Sequence, residues 1–132
     1  MTAFYALVHK DEDSAFGVSF PDLAAVFSAA DEEDDIVANA MEALSLYAAD
    51  TRLPVPSSAQ ALMTREDVRI QVAEGAFIIR VPFIEEDARV IRVNISLEAG
   101  ILRALDAAAE WRGVTRSAFL ASCARHEIER TG

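Results

Sequence analysis

Three polar side chains alternate with apolar ones in the tail of the chain. Arg92, Asn94 and Ser96 occupy every second position. The positions around them are apolar: Ile91, Val93, Ile95 and Leu97. This alternation predicts a strand with one apolar and one polar face. Since arginine suits guanine and asparagine suits adenine in the major groove, we expect the polar face to read DNA bases. A solvated edge strand is the simpler alternative.

A second polar group begins the last predicted helix. Thr115 is a typical N-cap residue, and Arg116 and Ser117 follow it. The first turn of a helix has free N–H groups that suit a phosphate. We therefore expect Thr115, Arg116 and Ser117 to hold the DNA backbone.

These residues need a strand followed by two helices to position them. Apolar residues at helical spacing from Leu97 to Ala109 predict the first helix, and Gly113 suits its left-handed end. Val114 and Phe119 suit a hydrophobic staple around the Thr115 cap. About 45 residues in this order cannot enclose a core. Pairing the strand with its copy in a second chain solves this problem, so we expect a homodimer and leave a tetramer open.

The pattern has a known counterpart. Residues 92–97 (RVNISL) and 113–120 (GVTRSAFL), each followed by a predicted helix, resemble the ribbon-helix-helix family of repressors. The resemblance implies that Arg92, Asn94 and Ser96 read bases and that residues 115–117 contact the DNA backbone. Glu98 is a departure, because many members have proline there.

The distribution of charged residues also separates the tail, residues 88–132, from the rest of the chain. Residues 1–87 hold 5 basic and 17 acidic residues, a balance of −12, whereas residues 88–132 hold 7 arginines and 5 acidic residues, a balance of +2. The two parts together give the net charge of −10. Such asymmetry indicates two functions, and the charged connector 84–87 is the predicted boundary.

The acidic part has the pattern of an α+β domain. Alternating apolar residues predict strands at 4–9, 16–20, 26–30 and 76–83. A helix is predicted from Asp31, as its N-cap, to about Asp50, with acidic residues 32–35 in its first turn. Residues 59–75 are ambiguous, with a helical turn expected near 59–63 and a strand around Val68–Val72.

Two segments of this part resemble the HicB antitoxin family: residues 5–11 (YALVHKD) and 16–23 (FGVSFPDL), followed by the acidic helix. The resemblance implies a partial ribonuclease-H-like domain that binds a HicA toxin, a small ribonuclease that cleaves messenger RNA. Many members carry a ribbon-helix-helix or helix-turn-helix tail. Family members often have Pro-Gly-Cys after the position of Leu23, whereas this chain has Ala24-Ala25-Val26, so the turn there must be built differently.

A strongly acidic surface suits the binding of a basic RNA-cleaving protein. The expected toxin-binding residues are Asp11, Glu12, Asp13, Glu32 and Glu33. For any one of them taken singly, a solvated turn or the first turn of a helix is the favoured interpretation.

Catalytic and metal sites have little support. Metal-dependent cleavage needs carboxylates that converge from strands, but the aspartates lie in turns and at a helix cap. Cys123 and His126 are too few for zinc, and we expect Cys123 and Trp111 to pack in the core. No enzyme activity, cofactor or metal is expected.

The expected fold is therefore α+β. Residues 1–87 would form an antiparallel ββ β-α-β partial ribonuclease-H-like domain, and residues 88–132 a ribbon-helix-helix module. The expected protein is a cytoplasmic antitoxin, with no membrane span or signal peptide, that neutralises a HicA-like toxin and represses its own operon at operator DNA. The alternatives are a stand-alone repressor whose first domain binds a ligand or drives assembly, and a nuclease.

Overall fold

The computed structural model describes residues 2–130 and divides after Glu86 into two compact units. Each unit is described by itself. The first contains β1 (Ala3–Lys10), β2 (Phe16–Phe20), β3 (Leu23–Ala30), α1 (Ile36–Asp50), α2 (Ala59–Met63), α3 (Glu66–Ala73) and β4 (Phe77–Pro82). The second contains α4 (Ala99–Arg112) and α5 (Arg116–Arg130).

The four strands form one sheet in the order β3-β2-β1-β4, and every neighbouring pair is antiparallel. This confirms the expected α+β class and the antiparallel strands. The third strand begins at Leu23 instead of Val26, because Pro21 and Asp22 alone separate it from β2. Ala24, Ala25 and Val26 are therefore strand residues.

The central strand β1 is buried on both faces. Phe4, Ala6, Leu7 and Val8 have no exposed surface. Leu7 packs with Leu62 of α2, Val68 of α3 and Ala76 in one cluster. The two short helices, α2 and α3, thus cover the face of the sheet to which Leu7 belongs.

Helix α1 covers the opposite face. It packs mainly against β3 and also contacts β2 and β4. Its buried residues recur at helical spacing: Ile36, Ala40, Met41 and Leu44. The Asn39 side-chain amide donates a hydrogen bond of 2.9 Å to the Ala29 carbonyl, which ties the start of the helix to β3.

Two local predictions in this unit are wrong. Asp31 does not cap α1, because a 3-10 turn at Glu33–Asp35 precedes the helix, and Asp35 occupies the N-cap position without a side-chain cap bond. The expected strand at Val68–Val72 is part of α3. Val68 and Val72 lie one helical turn apart and face the Leu7 cluster, so tertiary packing overrides their β propensity. The helical turn expected near 59–63 is confirmed as α2.

The second unit has little interior. Leu105 and Ala109 of α4 are its only buried residues within the described chain. Trp111 is 90% exposed and Cys123 is exposed, so the prediction that both are core residues is wrong for the single chain. Residues 83–98 form neither helix nor strand. None of the helices in residues 2–130 has the length and apolarity of a membrane span.

A polar contact fastens the β2–β3 turn to the segment before α2. Asp22 accepts hydrogen bonds from the Ser57 N–H at 2.7 Å and from the Ser57 hydroxyl at 2.8 Å. The Asp22 side chain is only 12% exposed, and Arg65 lies 3.9 Å from it. Arg65 also donates a 3.0 Å hydrogen bond to the Pro21 carbonyl. These contacts hold the Pro-rich stretch 53–58 against the turn.

We expect Asp22→Ala to lower the free energy of unfolding by about 2 kcal/mol, because it leaves the Ser57 donors unsatisfied in a half-buried place. Urea denaturation measures the change. Asp50→Ala, at the exposed end of α1, is the control and should change stability by less than about 0.5 kcal/mol. Equal effects of the two substitutions would contradict the role of Asp22.

Candidate functional site

The predicted base-reading segment is fully open in the single chain. Arg92, Asn94 and Ser96 are all exposed. The apolar residues between them are also exposed, with 75% of Ile91, 71% of Val93 and 61% of Ile95 accessible. A strand requires a hydrogen-bonded neighbour, and the four described strands all lie in the first unit. The ribbon therefore stays a prediction, and the segment has an apolar side that the single chain leaves uncovered.

The turn between α4 and α5 has a well-defined geometry. Gly113 adopts the left-handed conformation, with φ of 69°. The Val114 N–H donates to the Ala109 carbonyl at 3.0 Å, and the Gly113 N–H donates to the Glu110 carbonyl at 3.0 Å. These two bonds form a Schellman motif, and the left-handed conformation predicted for Gly113 is confirmed. The motif fixes the direction in which α5 leaves the turn.

The predicted phosphate anchor lies at the start of α5. The Thr115 hydroxyl accepts a 3.1 Å hydrogen bond from the Ala118 N–H, which confirms Thr115 as the N-cap. Thr115, Arg116 and Ser117 are exposed. The cap satisfies one of the four N–H groups that a helix start leaves without an intrahelical partner.

Arg116 is held by a carboxylate that the sequence did not reveal. Its Nε and Nη2 donate hydrogen bonds of 2.8 Å each to the two carboxylate oxygens of Asp106 on α4. The hydrogen bond from Arg116 lowers the pKa of Asp106, and the same bond raises the pKa of Arg116. The two residues are ten positions apart and meet only because the Gly113 turn reverses the chain, so sequence spacing gave no signal.

The predicted toxin-binding residues lie at one end of the sheet. Lys10 pairs with Phe16, and Phe16 pairs with Ala30. The β1–β2 turn and the loop after β3 therefore leave the sheet at the same end. These segments contain eight exposed acidic residues: Asp11, Glu12, Asp13, Asp31, Glu32, Glu33, Asp34 and Asp35. Adjacent strands are about 4.8 Å apart, so the two segments are about 10 Å from each other.

Local bonds shape the first acidic segment. The Ser14 N–H donates to the Asp11 carbonyl at 3.2 Å, and the Asp11 N–H donates to the Ser14 hydroxyl at 3.1 Å. Asp13 takes a left-handed φ of 64°, which aspartate tolerates better than most residues. These bonds use backbone and hydroxyl groups, so the carboxylates of residues 11–13 project into solvent.

These acidic side chains do not form a metal site. Residues 2–130 contain no cluster of three or more histidine, cysteine, aspartate or glutamate side chains that could hold a metal ion. No polar or charged residue in the described chain is buried. The arrangement suits binding through an exposed, negatively charged surface.

The described chain is a small α+β protein with an exposed acidic surface on one unit and an uncovered apolar segment on the other. A family model described as the HicB-like antitoxin of bacterial toxin-antitoxin systems matches residues 4–124. The match covers most of the chain, so the protein belongs to the HicB-like antitoxin family. The predicted family is thereby confirmed.

Solved structures agree with this assignment. The antitoxin HicB from Burkholderia pseudomallei is 27% identical, with a TM-score of 0.51 and coverage of 100% of both chains. The antitoxin HicB3 is 26% identical, with a TM-score of 0.52 and coverage of 96% of this chain and 98% of that one. A HicA3 and HicB3 toxin-antitoxin complex matches at 24% identity and a TM-score of 0.51, covering 63% of this chain and 99% of that one, and shows likeness of fold alone. No curated protein sequence matches.

The Arg116–Asp106 pair makes a testable prediction about pH. Arg116 lowers the pKa of Asp106 in the folded state. The ion pair therefore stabilises the fold fully at pH values above the pKa that Asp106 has in the unfolded chain, and this stabilisation is lost as the pH falls through the pKa of Asp106 in the folded state. We expect Arg116→Gln to raise the pKa of Asp106 towards its ordinary value, as followed by carboxyl NMR titration. Arg125→Gln on α5 removes the same charge and should leave the pKa of Asp106 unchanged. An equal response to both variants would show that the ion pair is not formed in solution.

Proposed function

We propose that this HicB-like antitoxin neutralises a HicA-like, mRNA-cleaving toxin through its first unit and represses its own operon through a ribbon-helix-helix dimer formed by residues 88–132. The DNA-binding part of this proposal is supported mainly by one observation: the second unit lacks a core of its own. Two buried residues do not stabilise a folded unit of this length, and a second copy supplies the missing contacts.

The exposed apolar segment supports a ribbon as the site of pairing. Ile91, Val93 and Ile95 gain burial when two copies pair antiparallel and lie on the four helices of the dimer. Full burial of each such side chain stabilises by about 2 kcal/mol. The partner strand also satisfies the backbone groups of the segment. Dimerisation and folding of this unit are then one event.

Pairing gives the polar side chains their function. Arg92, Asn94 and Ser96 then appear twice on the outer face of the ribbon, related by a two-fold axis. A two-stranded ribbon fits the B-DNA major groove, and operator half-sites mirror the symmetry of the dimer. Thr115 and Ser117 at the start of α5 contact phosphates on either side of the groove. The ion pair with Asp106 means that a phosphate must displace a carboxylate from Arg116.

The acidic end of the first unit supports the toxin-binding half. A protein that cleaves RNA carries a basic surface, and eight exposed carboxylates at one end of a sheet attract such a surface and occupy it. Membership of an antitoxin family agrees with this role. A fold relative has been solved as a HicA3 and HicB3 complex. The alternative, a stand-alone repressor, requires no protein partner for the first unit.

The base-reading role is tested by binding to the operator and to random DNA. Asn94→Ala should weaken operator binding by about 1–3 kcal/mol and leave random DNA nearly unaffected, because a base contact carries sequence information. Arg116→Ala is the control and should weaken binding to both DNAs alike and reduce the salt dependence. Equal losses on both DNAs for Asn94→Ala would contradict base reading.

The toxin-binding role is tested by reversing charge at two places. Glu32→Lys with Glu33→Lys changes the acidic end, and Asp50→Lys with Glu66→Lys makes the same change in charge outside it. We expect the first pair to slow association with the small basic protein encoded by the adjacent gene by about tenfold or more, and the second pair to have a much smaller effect. Stopped-flow association at low and high salt measures both.

Two results would contradict the role of the acidic end. Equal slowing by both pairs would mean that only the net charge matters. Failure of the unchanged protein to bind the adjacent gene product would favour the stand-alone repressor.

A further inference from the structure

The ion pair between Asp106 and Arg116 lies at the point where α5 begins. Both carboxylate oxygens of Asp106 accept hydrogen bonds of 2.8 Å, one from Nε and one from Nη2 of Arg116. This two-bonded arrangement is among the strongest that arginine forms with a carboxylate, and it is also the arrangement in which arginine holds a phosphate. The carboxylate of Asp106 therefore occupies the edge of the guanidinium that suits a phosphate.

The pair is not required to shape the turn between α4 and α5. The Schellman bonds around Gly113 and the cap at Thr115 already fix the turn. The side chains of Arg116 and Asp106 are 57% and 42% exposed, and ion pairs as exposed as this one contribute little to folding stability. The main consequence of the pair is therefore electrostatic, because it neutralises an arginine at the start of α5.

A second arginine near the turn keeps its positive charge. Arg112, the last residue of α4, lies over the ring of Phe119, 5.3 Å from its centroid. Within residues 2–130 Arg112 forms no ion pair. An aromatic ring attracts a cation without cancelling its charge, whereas a carboxylate cancels it. Asp106 thus acts on one of the two arginines, and that arginine is the predicted phosphate contact.

We propose that Asp106 is a built-in competitor for DNA phosphate and lowers the affinity of the second unit for DNA of any sequence. This inference rests on the proposed DNA-binding function. A phosphate that approaches Arg116 has to displace the Asp106 carboxylate or bind beside it, and both weaken binding because like charges repel. Phosphate contacts carry no sequence information, so the loss is the same on the operator and on random DNA.

The competitor separates the strength of DNA binding from its sequence preference. Phosphate contacts supply essentially all of non-specific binding, whereas base contacts supply the preference for one sequence. Asp106 weakens the first and leaves the second to the polar face of the ribbon. Residues 88–132 have a surplus of only +2, so one carboxylate per copy is a large fraction of their charge. Asp106 therefore sets how tightly the dimer holds DNA and not which sequence it selects.

Asp106→Asn in the full chain tests the proposal. Asparagine has nearly the same size and no charge, so Arg116 is released to bind phosphate. At low salt we expect the affinity to rise by about tenfold, both for the DNA upstream of the protein's own gene and for a random duplex of equal length. The slope of log affinity against log salt should steepen by up to about two, one for each copy in a dimer. Fluorescence anisotropy titrations at several salt concentrations measure both quantities.

Glu110→Gln is the matched control. It removes the same charge from the same helix about one turn away, and Glu110 is exposed and forms no ion pair within residues 2–130. Its effect on either duplex should stay below about twofold, because salt screens a charge that contacts no arginine. A gain equal to that of Asp106→Asn would show that only the net charge matters and would overturn the proposal.

Further variants show whether Asp106 acts through Arg116. In an Arg116→Gln background, Asp106→Asn should change the affinity by less than about twofold, because no guanidinium remains to be released. Asp106→Glu retains a carboxylate and should keep the affinity close to that of the unchanged protein. Thermal unfolding followed by circular dichroism checks the fold of each variant. Asp106→Ala, with a better helix former, repeats the test if asparagine destabilises α4.

The outcomes distinguish this inference from the proposed function. If the unchanged protein binds DNA and Asp106→Asn binds both duplexes no more tightly, the competitor is wrong and the DNA-binding function stands. A gain on the upstream DNA alone would make Asp106 a determinant of sequence preference and would also overturn the proposal. If neither the unchanged protein nor Asp106→Asn binds either duplex, the DNA-binding function and the competitor are both wrong.

Discussion

Burial of β1 on both faces is the constraint on which the first unit depends. Phe4, Ala6, Leu7 and Val8 have no exposed surface, so the sheet requires cover on two sides. Helix α1 supplies one side, and α2 and α3 supply the other. The hairpin register that accompanies this burial also brings the turn after β1 and the loop after β3 to the same end. The acidic surface is therefore a consequence of core packing, although no acidic residue takes part in the core.

The second unit differs from the first, because almost none of its residues are buried. Its helices are well specified locally, by the Schellman motif at Gly113 and the cap at Thr115, yet they enclose almost nothing. In this unit the local helix geometry is complete within one chain, but the core is not. This combination is typical of a module that folds together with a partner chain. The same reasoning applies to Trp111 and Cys123. We predicted both as core residues from their apolar character, and both are exposed in the single chain. The proposed dimer would supply a surface against which they pack.

The parts of the fold that were predicted correctly from the sequence have either a clear hydrophobic periodicity or a residue, such as glycine, that ends an element. The alternation in β1, the stripe along α1 and the glycine at 113 each specify one structure, and each is confirmed. The wrong predictions lie where tertiary contacts decide. Val68 and Val72 favour a strand by propensity, but their spacing of four and their contact with Leu7 favour a helix. Contacts between distant residues, such as Asp106 with Arg116 or Asp22 with Ser57, leave no local pattern in one sequence.

The chain's departure from its family lies in the strand that carries the exposed Phe27. Ala24, Ala25 and Val26 stand where members often have Pro-Gly-Cys, and in this structure they extend β3 back to Leu23. A proline and a glycine at these positions would shorten the strand and protect its edge. In this chain Phe20 pairs with Leu23 and Ser19 pairs with Phe27, so residues 24–26 have no partner in β2 and interrupt the ladder as a bulge. A difference in sequence next to the β2–β3 turn thus changes how the outer strand pairs with the rest of the sheet.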